Sequence, residues 1–141
     1  MSHEPGERRF TAALQAARDA GRLPLIAEVK VRSPKEGELL AGRDPAALAQ
    51  TMVAAGAACL SVVTEGPNFG GSLELLQTVA AASAVPILCK DFVTEEQQVW
   101  ERRDQGADCL LLMVSQLDWP RLQALHAEAH RAGLETLVEV H

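Results

Sequence analysis

The sequence predicts an α/β fold with a parallel sheet, built from four βα units and a fifth strand in the manner of a (βα) barrel. Five short runs that favour β-structure are almost continuously apolar, which is typical of strands covered on both faces. Helical segments with recognisable start and stop signals separate these runs. After the first interval the runs end about 25 residues apart. This even spacing favours a barrel over an open doubly wound sheet, which stays an alternative.

Each predicted strand is short and ends where the sequence turns polar. The strands are residues 25–30, 59–65, 86–92, 109–114 and 136–141. A short helix over residues 8–20 is predicted ahead of the first strand. No linker or low-complexity tract interrupts the sequence. We therefore divide the chain into an N-terminal arm, residues 1–20, and a partial barrel that forms one domain, residues 21–141.

The four helices between the strands each begin at a residue whose side chain can accept hydrogen bonds from free backbone N–H groups. The predicted N-caps are Asp44, Ser72, Thr94 and Asp118. The helix after Ser72 is predicted to span residues 73–82. Thr94 and Gln97 have the spacing of a capping box. Three of the helices are predicted to end at a glycine. These glycines are Gly56, Gly106 and Gly133.

Composition excludes several classes of function. The formal net charge of −6 argues against a general nucleic-acid binder. No apolar run approaches the ~18 residues that a membrane span needs, and the polar N-terminus lacks the apolar segment of a secretory signal. We therefore expect a cytoplasmic protein with neither nucleic acid nor membrane as a partner. Cys59, Cys89 and Cys109 are predicted to be buried free thiols rather than a disulfide set or a zinc site.

Ionisable residues stand at the ends of most predicted strands, although charged groups are rarely buried without a partner. Residues i and i+2 of a strand share a face, so Glu28 and Lys30 are expected to point the same way. The carboxyl ends of parallel strands build active sites, so Lys90 and Glu139 are expected to converge on that pair. An ammonium group can act as a general acid, and two of them can hold a carboxylate or a phosphate. These four residues predict a catalytic site for an anionic ligand.

Other chemically capable residues have simpler interpretations. Glu65 alone at a strand end is typical of a solvated loop residue. Gly70-Gly71-Ser72 fits an ordinary turn with a helix cap as well as an anion site. His126 and His130 stand four apart on a helix with no evident third ligand, which favours an exposed helix face over a metal site. Cys89 has no histidine placed to activate it and is interpreted as a core residue.

Five ordered blocks of the sequence are similar to one enzyme family. They are IAEVKVRSP, LSVVTEGPNFGGS, PILCKDF, ADCLLLMVSQLD and LVEVH. Through them the chain resembles the indole-3-glycerol phosphate synthase family over residues 8–141. The resemblance implies a (βα)8 barrel that needs neither a metal nor an organic cofactor. It also implies a phosphorylated small-molecule substrate, 1-(2-carboxyphenylamino)-1-deoxyribulose 5-phosphate. This substrate closes to indole-3-glycerol phosphate with loss of carbon dioxide and water.

The resemblance further implies a role for each of four catalytic residues. Lys90 is expected to be the general acid that acts on the sugar carbonyl. Lys30 is expected to bind the substrate carboxylate and assist proton transfer. Glu139 is expected to take part in acid–base chemistry or to stabilise cationic character on the ring. Glu28 is expected to orient and balance Lys30.

Three further residues are implied to bind the substrate. Ser33 is expected to help hold the phosphate, and Phe69 and Phe92 are expected to pack against the aromatic ring. The sequence departs from the family pattern at Val31, where a basic residue is usual, and at Lys35, where a serine is common. Arg32 and Lys35 can still supply positive charge there.

The sequence stops in the fifth predicted strand, and strands six to eight implied by the resemblance have no counterpart in it. We therefore expect the isolated chain to have little or no activity. The alternative is a non-catalytic half-barrel that self-associates, or pairs with a second chain, through open sheet edges. A five-stranded signalling receiver is disfavoured because Glu28-Val29-Lys30 stands where that fold needs an acidic cluster for magnesium.

Overall fold

A computed structural model describes residues 9–141 and contains five helices and seven strands within that range. The helices are α1 (Phe10–Asp19), α2 (Pro45–Ala54), α3 (Leu73–Ala82), α4 (Glu96–Asp104) and α5 (Trp119–Arg131). The strands are β1 (Ile26–Val29), β2 (Arg32–Ser33), β3 (Gly37–Glu38), β4 (Cys59–Val63), β5 (Ile87–Lys90), β6 (Cys109–Met113) and β7 (Glu135–Glu139). The predicted start of the first helix at Arg8 lies outside the described residues.

Five strands form one parallel sheet in the order β1-β4-β5-β6-β7. Each strand pairs with the next one along the chain apart from the β2–β3 hairpin, so the order never reverses. A doubly wound sheet would reverse its strand order at a switch point, whereas a barrel adds each strand beside the last. The sheet therefore has the arrangement of a partial (βα) barrel, as the sequence predicts.

The loop after β1 contains a feature that the sequence analysis missed. Strands β2 and β3 form a small antiparallel hairpin in which Arg32 pairs with Glu38 and Ser33 pairs with Gly37. Gly37 has a φ of +74°, a backbone conformation that costs glycine little. Strands of two residues carry no hydrophobic period, so nothing in the pattern distinguishes them from an ordinary loop.

Helix capping agrees with the sequence at three of the four predicted sites. The side chains of Asp44, Ser72 and Asp118 accept hydrogen bonds from the first-turn backbone of α2, α3 and α5. The predicted cap at Thr94 is wrong, because Glu95 is the N-cap of α4. Gln98 reaches back to accept from the N–H groups of residues 94 and 95, while Gln97 instead donates to Glu101 at 2.8 Å.

The sheet is covered on both faces, which explains its continuous apolar strands. On the outer face, residues such as Leu60, Val62 and Leu110 pack under the helices. On the inner face, Cys59, Leu88, Cys109 and Leu111 form a second cluster around Phe10, which α1 inserts against them. Because alternate residues of a strand face opposite sides, the inner face continues upward from this cluster to the strand ends. Over residues 9–141 there is no helix with the length and apolar character of a membrane span.

Gly71 provides a test of how tightly the chain packs at the end of β4. A Cβ atom at this position would lie 2.1 Å from the carbonyl oxygen of Val63, well inside van der Waals contact. We expect Gly71→Ala to lower the free energy of unfolding by about 1–3 kcal/mol, the usual cost of overpacking. Chemical denaturation followed by circular dichroism measures this change.

Gly66→Ala is the matched control, because its Cβ would meet nothing closer than the carbonyl oxygen of Gly71 at 3.5 Å. The control should unfold within about 0.5 kcal/mol of the wild type. Equal stability of the two variants would show that the backbone approach at Gly71 does not constrain the fold.

Candidate active site

A cavity of about 200 Å³ opens at the carboxyl ends of the parallel strands. It is lined by Glu28, Lys30, Val63, Glu65, Phe69, Lys90, Asp91, Phe92, Leu111, Met113 and Glu139. Six of the residues that the sequence analysis assigned to a site therefore lie around one space. The seventh, Ser33, does not line it. Ser33 is the last residue of β2, and its hydroxyl donates to Oε2 of Glu36 at 3.3 Å.

Lys90 and Glu28 form an ion pair across the inner face of the sheet. The Nζ atom of Lys90 lies 3.1 Å from Oε2 of Glu28, and the hydroxyl of Ser61 donates to the same oxygen at 3.0 Å. The register explains this contact, because Glu28 stands beside Ser61 and Val63 stands beside Lys90. Lys90 thus reaches past β4 to β1. Its side chain stays 44% exposed and accessible to a ligand.

Lys30 has a different partner from the one that the resemblance implied. Its Nζ atom lies 3.3 Å from Oε2 of Glu36, whereas Glu28 is engaged by Lys90. Glu28 is therefore not the ion-pair partner of Lys30 in this structure, and its expected role of orienting and balancing Lys30 stays a prediction. The reason is geometric, because Lys30 follows the last residue of β1 and the chain there turns toward the hairpin. Each ammonium group of the site has its own carboxylate.

Glu139 ends β7 on the same inner face, directly beside Met113 in the register. Its carboxylate is about one-third exposed and lies 2.9 Å from Nε2 of His141, which carries charge only when protonated. One strand, β6, separates β7 from β5 in the sheet. Glu139 and Lys90 therefore face each other across the cavity floor formed by Leu111 and Met113.

The loop after β4 holds Phe69 against the cavity by means of a buried carboxylate. The expectation that Glu65 is a solvated loop residue is wrong, because Glu65 is only 8% exposed. Its oxygens accept hydrogen bonds from the backbone N–H groups of Asn68 and Phe69 and from the Asn68 amide. These donors within the loop replace the water that a strand-end carboxylate would otherwise need. A glutamate three residues before an Asn-Phe pair was the available signal.

A second buried charge network fixes the segment between Lys90 and Phe92. Oδ2 of Asp91 accepts from the hydroxyl of Thr64 at 2.7 Å and from the guanidinium of Arg102 at 3.0 Å, and Oδ1 accepts from the Phe92 N–H. The sequence analysis singled out neither Asp91 nor Arg102. Arg102 lies three residues after the buried Val99, which places it on the apolar face of α4.

Two simpler interpretations agree with the structure. Gly70 and Gly71 follow a turn over residues 67–69, and Ser72 caps α3 by accepting from the N–H of Leu75 at 3.0 Å. His126 and His130 lie on an exposed helix face, where Nδ1 of His126 contacts the Thr136 hydroxyl at 2.8 Å. Among residues 9–141 no group of three or more potential ligands is placed to hold a metal ion.

Cys89 lies directly before Lys90 but is fully buried on the outer face of the sheet. Burial raises the pKa of its thiol to about 11. The Thr64 hydroxyl gives its hydrogen to Asp91 at 2.7 Å and lies 3.3 Å from Sγ of Cys89, so the thiol is the donor in that contact. Cys89 is thus a protonated core residue, as the sequence predicts. Cys59 and Cys109 are also buried and free.

Comparison with known proteins identifies relatives over almost the whole chain. The family model for indole-3-glycerol phosphate synthase matches residues 1–141. An indole-3-glycerol phosphate synthase of Chromobacterium violaceum is 46% identical over 137 residues, which cover 96% of this chain and 52% of that protein. A protein of the same description from Hyphomonas neptunium is 45% identical over 134 residues, 95% of this chain and 51% of that protein. The chain thus spans about half the length of the curated relatives it matches.

Solved structures support the fold independently. A tryptophan synthase subunit alpha from Legionella pneumophila matches with a TM-score of 0.62 at 15% identity, covering 92% of this chain and 57% of that one. Mandelate oxidase, solved with (S)-2-phenylpropionate, matches with a TM-score of 0.58 at 20% identity, covering 92% of this chain and 52% of that one. At these identities the likeness concerns the fold alone. In both cases the match again covers about half of the other chain.

Thiol chemistry tests the buried environment of the sheet. Burial raises the pKa of Cys59 and of Cys109 to about 12, with added repulsion from nearby Asp108 and Glu135, and that of Cys89 to about 11. At pH 8 the thiolate fraction is therefore roughly one part in a thousand or less. We expect the folded chain to react with 5,5′-dithiobis(2-nitrobenzoate) at least about 100-fold more slowly than the chain in denaturant.

The denatured chain is the control and should label all three cysteines. A folded chain that labels within tenfold of the denatured rate would contradict the burial of these thiols.

Proposed function

The chain belongs to the indole-3-glycerol phosphate synthase family, and on that basis we propose that it supplies half of an active site for that reaction. The proposed substrate is 1-(2-carboxyphenylamino)-1-deoxyribulose 5-phosphate. A new carbon–carbon bond closes the ring, and carbon dioxide and water are lost. The observation that carries the proposal is the single cavity shared by Lys30, Lys90 and Glu139 at the strand ends. No metal or organic cofactor enters this chemistry.

Lys90 is proposed to be the general acid. Its ion pair with Glu28 holds the ammonium in place, and its partial exposure leaves a proton on Nζ accessible to a bound carbonyl oxygen. As the aromatic carbon bonds to the sugar carbonyl carbon, negative charge grows on the carbonyl oxygen. A proton delivered from Nζ neutralises this charge. Glu28 accepts from this ammonium and is itself held by the hydroxyl of Ser61, which donates to the same carboxylate oxygen.

Lys30 and Glu139 are proposed to act on the aromatic part of the substrate. The ammonium of Lys30 binds the carboxylate that later leaves as carbon dioxide. Ring closure leaves positive charge on the ring and its nitrogen until that carboxylate departs. The carboxylate of Glu139, on the far side of the cavity, stabilises this charge. In the final step the hydroxyl on the former carbonyl carbon leaves as hydroxide and Glu139 accepts the proton released from the neighbouring carbon, and these two together account for the water that is lost. The positive Lys30 thus faces the carboxylate of the intermediate, and the negative Glu139 faces its cationic ring.

Phe69 and Phe92 are proposed to pack against the aromatic ring. Both line the cavity together with Leu111 and Met113, so the ring enters a largely apolar space between the charged groups. Exclusion of water from this space strengthens the electrostatic contacts of Lys30 and Glu139. Ser33 stays a predicted phosphate ligand on the strength of the resemblance. Cytoplasmic location and the absence of nucleic-acid and membrane partners stay predictions as well.

Turnover with and without a complementary half tests the proposed function. The isolated chain should show little or no formation of the fluorescent indole product. Co-expression with the part of the Chromobacterium violaceum relative that this chain does not match should yield an active pair. In that pair Lys90→Ala should lower kcat by about 100-fold or more, the usual contribution of a general acid.

Arg18→Ala is the control, since Arg18 is an exposed residue of α1 that pairs with Asp19 outside the cavity. It should leave kcat unchanged. Normal turnover by the isolated chain would contradict the half-site proposal. So would a stable pair that has no activity, and a Lys90→Ala pair that keeps more than a tenth of its kcat would exclude the acid role.

Self-association is a second candidate, favoured by the two edges of the sheet. Within residues 9–141, β1 and β7 each pair with a strand on one side only. Apolar side chains are exposed at both edges, with Leu23 at 73%, Leu25 at 46%, Val138 at 45% and Val140 at 70%. Such edges favour pairing with a second copy of the chain.

Size-exclusion chromatography with light scattering tests this candidate. The isolated chain should elute as a dimer or larger species, and Val138→Lys should shift it toward the monomer by placing a charge at the edge. Trp119→Lys is the control, because Trp119 is 67% exposed but lies at the start of α5 and not on an edge strand. A monomer at all concentrations, with no binding of a dye for apolar surface, would contradict self-association.

A further inference from the structure

We propose that Glu36 is a built-in competitor for the ammonium of Lys30, which an anionic ligand must displace in order to bind. The inference rests on the proposed function, in which Lys30 holds the substrate carboxylate. Glu36 is an exposed residue of the hairpin loop and does not line the cavity at the strand ends, called the main cavity below because it holds the proposed catalytic residues. Its carboxylate nevertheless pairs with the ammonium of Lys30, to which the substrate carboxylate is proposed to bind.

A single oxygen of Glu36 carries both contacts. Oε2 lies 3.3 Å from Nζ of Lys30 and accepts from the hydroxyl of Ser33 at 3.3 Å. The backbone N–H of Glu36 donates in turn to Oγ of Ser33 at 2.9 Å, which holds the loop in place. Lys30 and Ser33 are the two residues assigned to the anionic groups of the substrate. The carboxylate of Glu36 therefore contacts both Lys30 and Ser33, where an anionic ligand is proposed to bind.

A second cavity shows where this contact directs Lys30. It has a volume of about 370 Å³ and is lined by Glu28, Lys30, Glu36, Leu39, Leu40, Arg43, Leu48 and Met52. Glu28 and Lys30 belong to both cavities, whereas Glu36 belongs only to the second. The ion pair thus draws the ammonium of Lys30 toward the hairpin side. A ligand carboxylate in the main cavity has to draw it back.

The balance of energies makes this competition reversible. The side chain of Glu36 is 53% exposed and that of Lys30 is 27% exposed, so the pair is weak, as solvent-exposed ion pairs generally are. A ligand carboxylate held between apolar walls is better desolvated and can replace Glu36. A ligand without a carboxylate gains nothing from displacing it. Glu36 therefore reduces affinity only for ligands that use Lys30, and its effect separates carboxylates from neutral aromatic compounds.

Binding of two small aromatic probes to the chain tests the inference. The probes are 2-aminobenzoate, which carries the carboxylate of the proposed substrate, and aniline, which lacks it. Chemical-shift titration of the chain labelled with ¹⁵N measures both dissociation constants. We expect Glu36→Gln to bind 2-aminobenzoate about two- to fivefold more tightly than the wild type, the range that an exposed ion pair supplies. Binding of aniline should not change.

Glu38→Gln is the matched control. It removes the same charge from the same exposed hairpin at a residue that lines neither cavity. This variant should bind both probes like the wild type, which separates direct competition from a general gain of positive potential. In a Lys30→Met background, Glu36→Gln should have no effect on 2-aminobenzoate, because the contested group is gone.

The outcomes distinguish failure of the inference from failure of the proposed function. Weaker or unchanged binding of 2-aminobenzoate by Glu36→Gln overturns the competition, as does an equal gain in Glu38→Gln. If Glu36→Gln tightens 2-aminobenzoate binding equally in the Lys30→Met background, the competition is overturned too, since the effect then does not depend on Lys30. If Lys30→Met alone leaves 2-aminobenzoate binding unchanged, the carboxylate role of Lys30 in the proposed function fails as well.

Discussion

The parallel register of the sheet is the constraint on which the site depends. It places Glu28 beside Ser61 and Val63 beside Lys90, so that a carboxylate, a hydroxyl and an ammonium meet on one face of three adjacent strands. A slip of one residue in any of these strands would turn its charged group toward the helices, into the apolar layer. The ion pair between Lys90 and Glu28 therefore forms only when the strands are in this register, and it lies at the site.

Local signals predicted most of the fold, and contacts between distant segments explain what they missed. Ser72 and the apolar residues after it predicted α3 to the residue, because a cap and a helical period are both read within one turn. The partners of Lys30 and Glu65 could not be predicted in this way. Their contacts depend on how the loops after β1 and β4 fold back. A hairpin of two-residue strands decides this for the first loop, and a cluster of backbone N–H groups decides it for the second. The sequence thus located the charges but not their pairs.

The inner face of the sheet changes in character from one end of the strands to the other. Near the start of the strands, Cys59 and Cys109 pack around Phe10 and exclude water. Leu88 and Leu111 follow, and Lys90 and Glu139 come at the strand ends. Of the charged residues below them, Glu28 pairs with Lys90, and Glu135 on the edge strand accepts from the backbone N–H of Thr11 at 3.1 Å. Each of these charges therefore has a partner, and none lies buried and unpaired in the core. This gradient lets the same strands provide stability at one end and reactivity at the other.

The edges of the sheet connect the question of assembly to the question of chemistry. Lys30 follows the end of β1, and Glu139 ends β7, so the two groups flank the two edges of the sheet on its inner face. Whatever pairs with those edges will also stand next to both groups. A partner that closes the barrel would complete the wall between Lys30 and Glu139 and enclose the ligand. A second copy of the same chain would instead bring its own Lys30 or Glu139 there and alter the charge of the space. The identity of the strand beside β1 and β7 therefore decides whether this half-site can act on a substrate.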